Sequence, residues 1–506
     1  MFGTSYSGEV NSGGEQQSGK IKYIGLDRAQ LGWAVLDIEQ LIPADHPART
    51  IWELTGKMDL SRFDDQSKSQ EGRVGRPCWP PQLLISVWIY SYTLKVASAR
   101  AIERMMEHEP GLRWLTASQS VNYHTLADFR VAHKEALETL FAQLLALLDQ
   151  AGVVDLSTIL HDGTKVKAVA GRASFHRRKT LEKRLRMARK VVRELDEQAE
   201  QEKEGMDERR QAAQRRAGQQ AVERAEAALA QLKRLEAKAA AKQVPEVRVS
   251  ISEPEARKMR QTNGGWDPSY NVQVSTEAQS RIIVGVGVTT DANDTHQLMP
   301  SIDRVQQNCG SNPETVIADN GYATRQNVEQ TAEREIKLIA PWKDDASREA
   351  GACAVNGIDK QFAPTAFCKQ AGGKQLLCPA GKTLIVIHHR VHHGQQRAVF
   401  QAQARDCARC RWRQQCCGTR GGPRRVERVV ETKAMREYLA RMKQRSVKAL
   451  YKKRCEIAEF PHLWVKGVKQ LRRFSVRGVV KAGMEALWVA LAYNMTQCIR
   501  IGPALA

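Results

Sequence analysis

The segment from residue 180 to residue 242 constrains the fold most, because it is long, highly charged and rich in alanine. Apolar residues recur four and three positions apart in each half, the spacing of a helix that buries one narrow seam. The first half has Leu181, Leu185, Ala188, Val192, Leu195 and Ala199, and the second has Ala225, Ala228, Leu232, Leu235 and Ala239, with Gly205 between them. We therefore expect an antiparallel coiled-coil hairpin over residues 175–245, which acts as a solvated spacer.

Apolar, strand-like segments lie on both sides of this hairpin: residues 153–160 before it, and 269–275, 282–289, 316–318 and 336–340 after it. Segments 269–275 and 282–289 predict a β-hairpin, and the second is apolar enough to be buried. Segment 153–160 leads into Asp162, and segment 316–318 leads into Asp319. The pattern predicts an α/β core over residues 151–345 and 425–500, with an apolar terminal helix at about 478–498.

Residues 38–150 are predicted to form a helical N-terminal domain. Pro80 and Pro81 open an apolar run, residues 83–94, and further helices are expected at 99–107, 125–133 and 135–148. Arg and Lys on the polar faces suit DNA binding, although many small helical clusters bind nothing. We expect residues 1–37 to form a flexible arm, since residues 1–20 are rich in Gly, Ser and Gln and lack the apolar core of a signal peptide.

The charge of the chain favours a polyanionic partner. The formal net charge is +22, and between Arg405 and Arg477 there are 22 Lys and Arg but only 6 Asp and Glu. Cations release counterions when they neutralise phosphates, so nucleic acid is the expected partner, ahead of an anionic membrane surface. No segment reaches the roughly 18 apolar residues that cross a bilayer, so we expect a cytoplasmic protein.

Seven of the eleven cysteines lie between residues 353 and 417. In a protein that is not secreted they indicate thiols or metal ligands rather than disulfides. Cys407, Cys410 and Cys416 form a C-x2-C-x5-C pattern, and with Cys378 upstream they suit a tetrahedral structural Zn²⁺. The alternative is a set of unmetallated thiols in a small basic module. Further candidate ligands of this Cys-rich insertion, residues 346–424, are Cys353, Cys368, Cys417, His388, His389, His392 and His393.

Asp162 and Asp319 suit metal-dependent phosphodiester chemistry. Such chemistry uses hard oxygen ligands, which hold two divalent cations about 3.5–4 Å apart. Both residues are predicted at the end of an apolar strand, before a turn that contains glycine. Carboxylates on adjacent strands, completed by a third acid on a helix, would build this site. The alternative for each residue is an ordinary turn aspartate.

The sequences HDGTKVKA (161–168) and VIADNGYAT (316–324) resemble the first and second acid motifs of insertion-sequence DDE transposases. The third motif of that family is similar to Tyr451, Arg454, Glu459 and Lys466, with one residue more between Arg and Glu than in its commonest form. Glu459 is the preferred third acid because it lies seven residues, or two helical turns, before Lys466. Glu456 and Glu485 are the alternatives, and Glu485 is expected on the surface of the terminal helix.

The resemblance implies an RNase H-like mixed sheet with flanking helices, split by the hairpin and by the Cys-rich insertion. It implies that Asp162, Asp319 and Glu459 bind Mg²⁺ or Mn²⁺, and that Tyr451, Arg454 and Lys466 contact DNA phosphates. It also implies double-stranded DNA partners, both element ends and target, and a homodimer or higher oligomer. Rival functions are a nuclease without transposition and a non-catalytic DNA-binding protein.

Three neighbouring residues are predicted not to be catalytic. Asp291 and Asp294 follow a buried strand, and the resemblance places them in a structural turn. His161 adjoins Asp162, but successive residues of a strand point to opposite faces of the sheet. We therefore expect His161 to pack or to contact DNA.

Overall fold

The structure is a computed structural model of the chain. It describes residues 36–64, 77–201, 208–240, 246–342, 353, 356–370, 374–392, 395–418, 421–454 and 472–501. The fold is mixed α/β, with helices at both ends of the chain, a central mixed sheet and a second, antiparallel sheet.

The described part of the N-terminal region contains a 3-10 helix, Glu39–Leu41, and seven α-helices: α1 Pro47–Gly56, α2 Ser61–Asp64, α3 Pro81–Thr93, α4 Ala99–Met105, α5 Pro110–Leu115, α6 Tyr123–Ala132 and α7 Lys134–Gln150. The four predicted helices correspond to α3, α4, α6 and α7. Proline begins α1, α3 and α5, where its missing N–H donor and fixed φ suit the first helical turn. Helix α3 is buried from Leu83 to Tyr92, so it is the centre of this region.

The central region contains eight strands and four helices: β1 Thr158–Lys167, β2 Phe175–His176, α8 Arg178–Gln201, α9 Glu208–Ala240, β3 Val249–Ser250, β4 Arg257–Arg260, β5 Trp266–Glu277, β6 Ile283–Thr289, α10 Leu298–Cys309, β7 Thr315–Ile317, α11 Arg325–Glu333 and β8 Lys337–Ile339. The main sheet runs β8, β7, β1, β5, and the far edge of β5 pairs with both β4 and β6. Strands β7 and β8 are parallel to β1, whereas β5 is antiparallel to it.

Strand β1 differs from its prediction. The apolar segment 153–160 was expected to end before Asp162, but β1 begins at Thr158 and continues through Asp162 and Gly163 to Lys167. The cause is its partner, since β5 pairs with β1 without interruption from Ile159 to Lys167. Cross-strand hydrogen bonds therefore extend the strand through a sequence that resembles a turn.

Helices α8 and α9 run antiparallel. Ion pairs link them at three levels: Arg178–Glu236, Arg189–Glu226 at 2.7 Å, and Arg215 Nε to Asp196 Oδ1 at 2.7 Å. At their base, Leu181, Ala228 and Leu232 pack with Val249 of β3, which pairs with β2. The predicted pair of antiparallel helices is thus present. Its coiled-coil supercoil stays a prediction, and Gly205 lies outside the described residues.

The Cys-rich region forms a five-stranded antiparallel sheet with two short helices: β9 Cys368–Lys369, β10 Gln375–Leu377, β11 Thr383–His392, β12 Gln395–Ala402, α12 Ala404–Ala408, α13 Arg413–Cys417 and β13 Arg425–Val429. Strand β13 completes this sheet beside β12. The predicted boundary at residue 424 was therefore wrong. The insertion continues to Val429, because β12 needs a partner on its second edge.

The last described helices are α14 Lys433–Lys443, α15 Arg445–Lys452 and α16 Val479–Ile501. Helix α16 packs against α1, α3, α6, α7 and β6. Trp488 Nε1 donates to the carbonyl of Arg130 at 3.1 Å, and the Asn494 amide exchanges two hydrogen bonds with the backbone of Ile283, at 2.9 and 2.8 Å. Within the described ranges, no helix is both long and apolar enough to cross a membrane.

One hydrophobic core joins the N-terminal helices, the main sheet and α16. Its largest buried side chains include Trp88, Phe141, Tyr270 and Trp488. The boundary predicted at residue 150 does not divide this core. The N-terminal helices are therefore built into the same body as the sheet, whereas we had expected a domain in front of it.

Candidate functional site

Asp162 and Asp319 lie on neighbouring parallel strands. The β1–β7 register pairs Ile159 with Val316 and Leu160 with Ile317. If the same register is extended by two residues, Asp162 lies opposite Asp319. Asp319 follows the end of β7, as predicted, and its Oδ1 accepts a 2.7 Å hydrogen bond from the Gly321 N–H. Asp162 lies in the middle of β1, so the prediction that it ends a strand was wrong.

The two carboxyl groups share a largely buried environment. Burial raises the pKa of Asp162, and burial together with the nearby Asp162 charge raises the pKa of Asp319. Asp162 also has stabilising partners: its Oδ1 accepts from the Gly163 N–H at 2.8 Å, and its Oδ2 pairs with Arg454 Nη2 at 3.0 Å. These partners only partly offset the desolvation of the two acids, so an additional cation would stabilise their ionised forms.

Helices α14 and α15 bring Arg454 to this pair. A small apolar cluster of Leu160, Ile317, Ile339 and Val447 joins the ends of β1, β7 and β8 to α15, and Tyr451 packs against it. Arg454 follows α15 directly, and its side chain is only 17% exposed in the ion pair with Asp162. The structure therefore places Arg454 at the predicted site and places Tyr451 against the apolar cluster beside it.

The other third-motif residues have different positions. Glu459, its alternative Glu456, and Lys466 lie outside the described residues. Glu485 was expected on the surface, but it is 2% exposed. Its carboxylate accepts from Ser475 N at 2.9 Å and Ser475 Oγ at 2.7 Å, and it lies 4.0 Å from Arg130 Nη1. Glu485 is thus committed to a buried structural network, because α16 faces the core on nearly every side.

A polar network lies on the opposite face of β1. Asp294 Oδ1 accepts from Asn271 Nδ2 at 2.6 Å, Gln273 Nε2 at 2.8 Å and Lys165 Nζ at 3.2 Å. Burial alone would raise the pKa of Asp294, but these donors hold it below its usual value. Asp294 was predicted to be a turn residue, and its turn also anchors this network beside the acids. The Asp291 carboxylate accepts a 3.0 Å hydrogen bond from Gln297 Nε2, and the Asp291 carbonyl accepts one from Asn271 Nδ2 at 3.2 Å.

His161 and Tyr322 complete this network. The His161 ring is buried and bonds Gln273 Oε1 at 2.9 Å and Ser275 Oγ at 3.0 Å, and the Tyr322 hydroxyl donates to Gln273 Oε1 at 2.6 Å. The expectation that His161 packs is confirmed. Residues 165, 273 and 322 were not predicted. The sequence feature that indicates such a network is the alternation in β5, a buried strand in which every second residue is polar: Asn271, Gln273 and Ser275.

The acid pair fits a divalent cation. Its carboxylate oxygens are the hard ligands that Mg²⁺ and Mn²⁺ prefer, and its raised pKa values reflect negative charge without full compensation. Two carboxylates do not complete a coordination sphere, and the described residues contain no group of three or more His, Cys, Asp or Glu arranged to hold a metal. A third ligand would come from the segment that contains Glu459.

The four predicted zinc ligands line one small cavity. Cys378, Cys407, Cys410 and Cys416 share it with Cys417, and no described cysteine forms a disulfide. Backbone N–H groups point at two of the sulfurs, Lys382 N to Cys378 Sγ at 3.3 Å and Arg424 N to Cys407 Sγ at 3.5 Å. Burial, reinforced by the neighbouring thiols, raises the pKa of Cys416 to about 12. Of the other cysteine candidates, Cys353 is buried and Cys368 is exposed, and neither lines this cavity. His393 lies outside the described residues.

Two protein families match parts of the chain. A family described as a transposase DDE domain matches residues 377–499, and a family described as a transposase domain (DUF772) matches residues 36–132. The first match covers the Cys-rich sheet from β11 onward and helices α14–α16, and the second covers α1–α6. Asp162 and Asp319 lie between the matched regions. No match was found among curated proteins or among solved structures.

Proposed function

We propose that this chain, which its two family matches indicate to be an insertion-sequence DDE transposase, cleaves DNA at the ends of its element and joins those ends to target DNA. The observation that carries the proposal is the level placement of Asp162 and Asp319 on two parallel strands, with Arg454 beside them. The partner is double-stranded DNA, in a homodimer or higher oligomer that holds paired ends.

The strand order supports an RNase H-like core. Strands β6, β5 and β1 are antiparallel neighbours in the sheet, and β7 and β8 then add in parallel on the other side of β1. Helix α10 connects β6 to β7, and α11 connects β7 to β8. This order brings the centre of β1 and the end of β7 together, which is where both acids lie.

Asp162, Asp319 and Glu459 would hold Mg²⁺ or Mn²⁺, which when bound activates an attacking oxygen and neutralises charge on a leaving oxygen. The Gly163 and Gly321 N–H groups fix the orientation of the two carboxylates. Arg454 favours the ionised form of Asp162 and adds positive charge where a phosphate would approach. Hydrolysis and strand transfer are both in-line phosphoryl transfers, so one arrangement of residues serves both steps.

The experiment compares the variants Asp162→Asn, Asp319→Asn and Glu459→Gln on a labelled duplex that carries one element end. Each variant should lose cleavage and strand transfer but retain duplex binding, because only metal binding is removed. The matched control is Asp291→Asn, which removes the same charge from a nearby turn and should cleave normally. Cleavage by all three acid variants would overturn the proposal. Cleavage without joined product would instead favour a nuclease.

We also propose that Cys378, Cys407, Cys410 and Cys416 bind a structural Zn²⁺. The described structure does not arrange their sulfurs as a metal-binding group, so binding would have to draw them together around the ion. Support comes from their shared cavity and from the two backbone N–H groups that point at sulfur. Cys417, whose thiol bonds Cys407, competes with Cys410 for the fourth position. Metal analysis should find one equivalent of zinc, which Cys407→Ser removes and the exposed control Cys368→Ser retains. Comparison of Cys410→Ser with Cys417→Ser identifies the fourth ligand, and zinc-free purified protein would refute the site.

A further inference from the structure

A concave, strongly basic surface lies beside the thiol cavity. We call it the basic groove, and it is an open cavity of about 830 Å³ lined by Lys382, Arg405, Asp406, Arg409, Arg411 and Trp412, among others. Four of these side chains are cationic, and Asp406 is the only acid among the described residues that line the groove. The acid pair and the helices of the N-terminal region take no part in it.

Tight local structure positions these cations. Cys378 N donates to the Lys382 carbonyl at 2.8 Å, and Gly381 has φ +74°, so the chain turns sharply and returns Lys382 to the rim. On the other side, α12 carries Arg405, and the turn after it, in which Cys410 N bonds the Cys407 carbonyl at 3.2 Å, carries Arg409. The cations therefore stand on a short, hydrogen-bonded frame.

In the part of the chain that the structure describes, the cations of the groove have no carboxylate partner. Among the described residues, no acid lies within ion-pair distance of Lys382, Arg405 or Arg409. The arginines of the α8–α9 pair differ in this respect, because Arg189 and Arg215 are bound by Glu226 and Asp196 across the two helices. Positive charge is thus neutralised internally on the helical pair and remains available in the groove.

Arg411 and Trp412 add a second feature. The Arg411 guanidinium lies 4.1 Å from the centre of the Trp412 ring, and Trp412 also contacts Phe362 at 6.0 Å between ring centres. A cation–π contact holds the guanidinium in place while its N–H donors stay open to solvent. An arginine fixed in this way loses less side-chain freedom when it binds an anion.

We propose that the basic groove binds the phosphate backbone of duplex DNA. Arginine pairs with phosphate oxygens through two parallel hydrogen bonds, and each neutralised phosphate releases counterions. The inference rests on the proposed function, since it assigns part of the DNA held by the enzyme to the Cys-rich region. This region would position DNA and would take no part in cleavage.

The first test is the salt dependence of binding by the triple variant Lys382→Gln, Arg405→Gln, Arg409→Gln. The control is Arg178→Gln, Arg189→Gln, Arg215→Gln, which changes the formal net charge equally, from +22 to +19, but alters paired arginines. Binding of a fluorescein-labelled duplex of mixed sequence is followed by anisotropy across a salt series. Circular dichroism and thermal unfolding confirm that both variants fold.

Three lost phosphate contacts should lower the slope of log affinity against log salt by about 2.7, at about 0.9 per contact. With equal affinities of the wild type and the groove variant near 1 M salt, this change of slope makes their affinities differ about 500-fold at 0.1 M salt. The control variant should keep the wild-type slope. Equal slopes for the two triple variants would overturn the proposal.

A second test requires no substitution. Lysine acetylation with mass spectrometry should show that duplex DNA protects Lys382, whereas Lys190, which pairs with Glu194 on α8, stays reactive. Equal reactivity of Lys382 with and without DNA would refute the groove. The two proposals fail in different ways. If the proposed function is wrong, cleavage is absent, but the salt dependence of binding and the protection of Lys382 by DNA are unchanged.

Discussion

Gly163 offers a direct test of the network behind Asp162. A methyl group at this position would lie 2.5 Å from Gln273 Nε2, 2.6 Å from Asp294 Oδ1 and 3.0 Å from the Tyr322 hydroxyl. Ends of flexible side chains usually move aside, but these three are bound to one another through Gln273. Gly163→Ala must therefore break at least one hydrogen bond of this buried network.

The expected loss follows from these contacts. A hydrogen bond to a charged group contributes about 1.5–3 kcal/mol, and overpacking of a core costs about 1–3 kcal/mol. A loss of about 2 kcal/mol corresponds to roughly 30-fold more frequent local opening. Hydrogen–deuterium exchange of peptides from β1 and β5 measures this opening directly and does not require two-state unfolding.

The control is Gly171→Ala, where an added methyl group meets nothing within 4 Å. This variant should exchange like the wild-type protein. If Gly163→Ala also exchanges like the wild type, the network is not rigid and the reasoning fails.

Three further variants test the electrostatics. Burial raises the pKa of Asp319, so the ionised carboxylate destabilises the folded protein above the unfolded-state pKa. In EDTA at neutral pH, Asp319→Asn should therefore unfold at a higher temperature than the wild type. This difference in unfolding temperature should disappear as the pH falls through the raised pKa. Ionisation of Asp294 has the opposite effect on stability, because its hydrogen-bond donors and Lys165 outweigh burial and lower its pKa. Asp294→Asn should therefore unfold at a lower temperature than the wild type at neutral pH. A shift of the unfolding temperature in the same direction for both variants would contradict these two pKa directions. Glu485→Gln removes the charge that faces buried Arg130 and should cost about 3 kcal/mol while sparing cleavage. Loss of cleavage with unchanged thermal unfolding would instead make Glu485 the third acid.

Elements with a clear period could be predicted from the sequence. The apolar run behind Pro80 and Pro81 became α3, and the runs at 282–289 and 316–318 became β6 and β7 within one residue at each end. The length of β1 could not be predicted, because Asp162, Gly163 and Thr164 are typical of a turn and only the pairing with β5 makes them a strand.

The site was only partly predictable for a related reason. Acids at the ends of apolar segments indicated that Asp162 and Asp319 are neighbours, and the parallel register brings them level. The role of Asp294 depends on Asn271 and Gln273, which belong to a strand more than twenty residues before it. Local sequence shows only an aspartate in a turn, since the partners that bury and ionise it are supplied by tertiary structure.

The largest difference between prediction and structure is the hydrophobic core that the N-terminal helices share with the sheet and α16. Contacts such as Trp488 to Arg130 join residues 358 positions apart, and periodicity within either segment carries no information about them. Both α3 and α16 are apolar on almost all faces, which indicates burial but does not identify the partner.

Because α16 packs against the N-terminal helices, their hydrophobic core can be completed only after α16 has been synthesised. Residues 47–150 are synthesised before residues 479–501, which cover part of their apolar surface. Premature stop codons and frameshifts therefore yield fragments with an open core, which proteases remove. A chain that ends before residue 479 should therefore be degraded and should not persist as a folded N-terminal fragment.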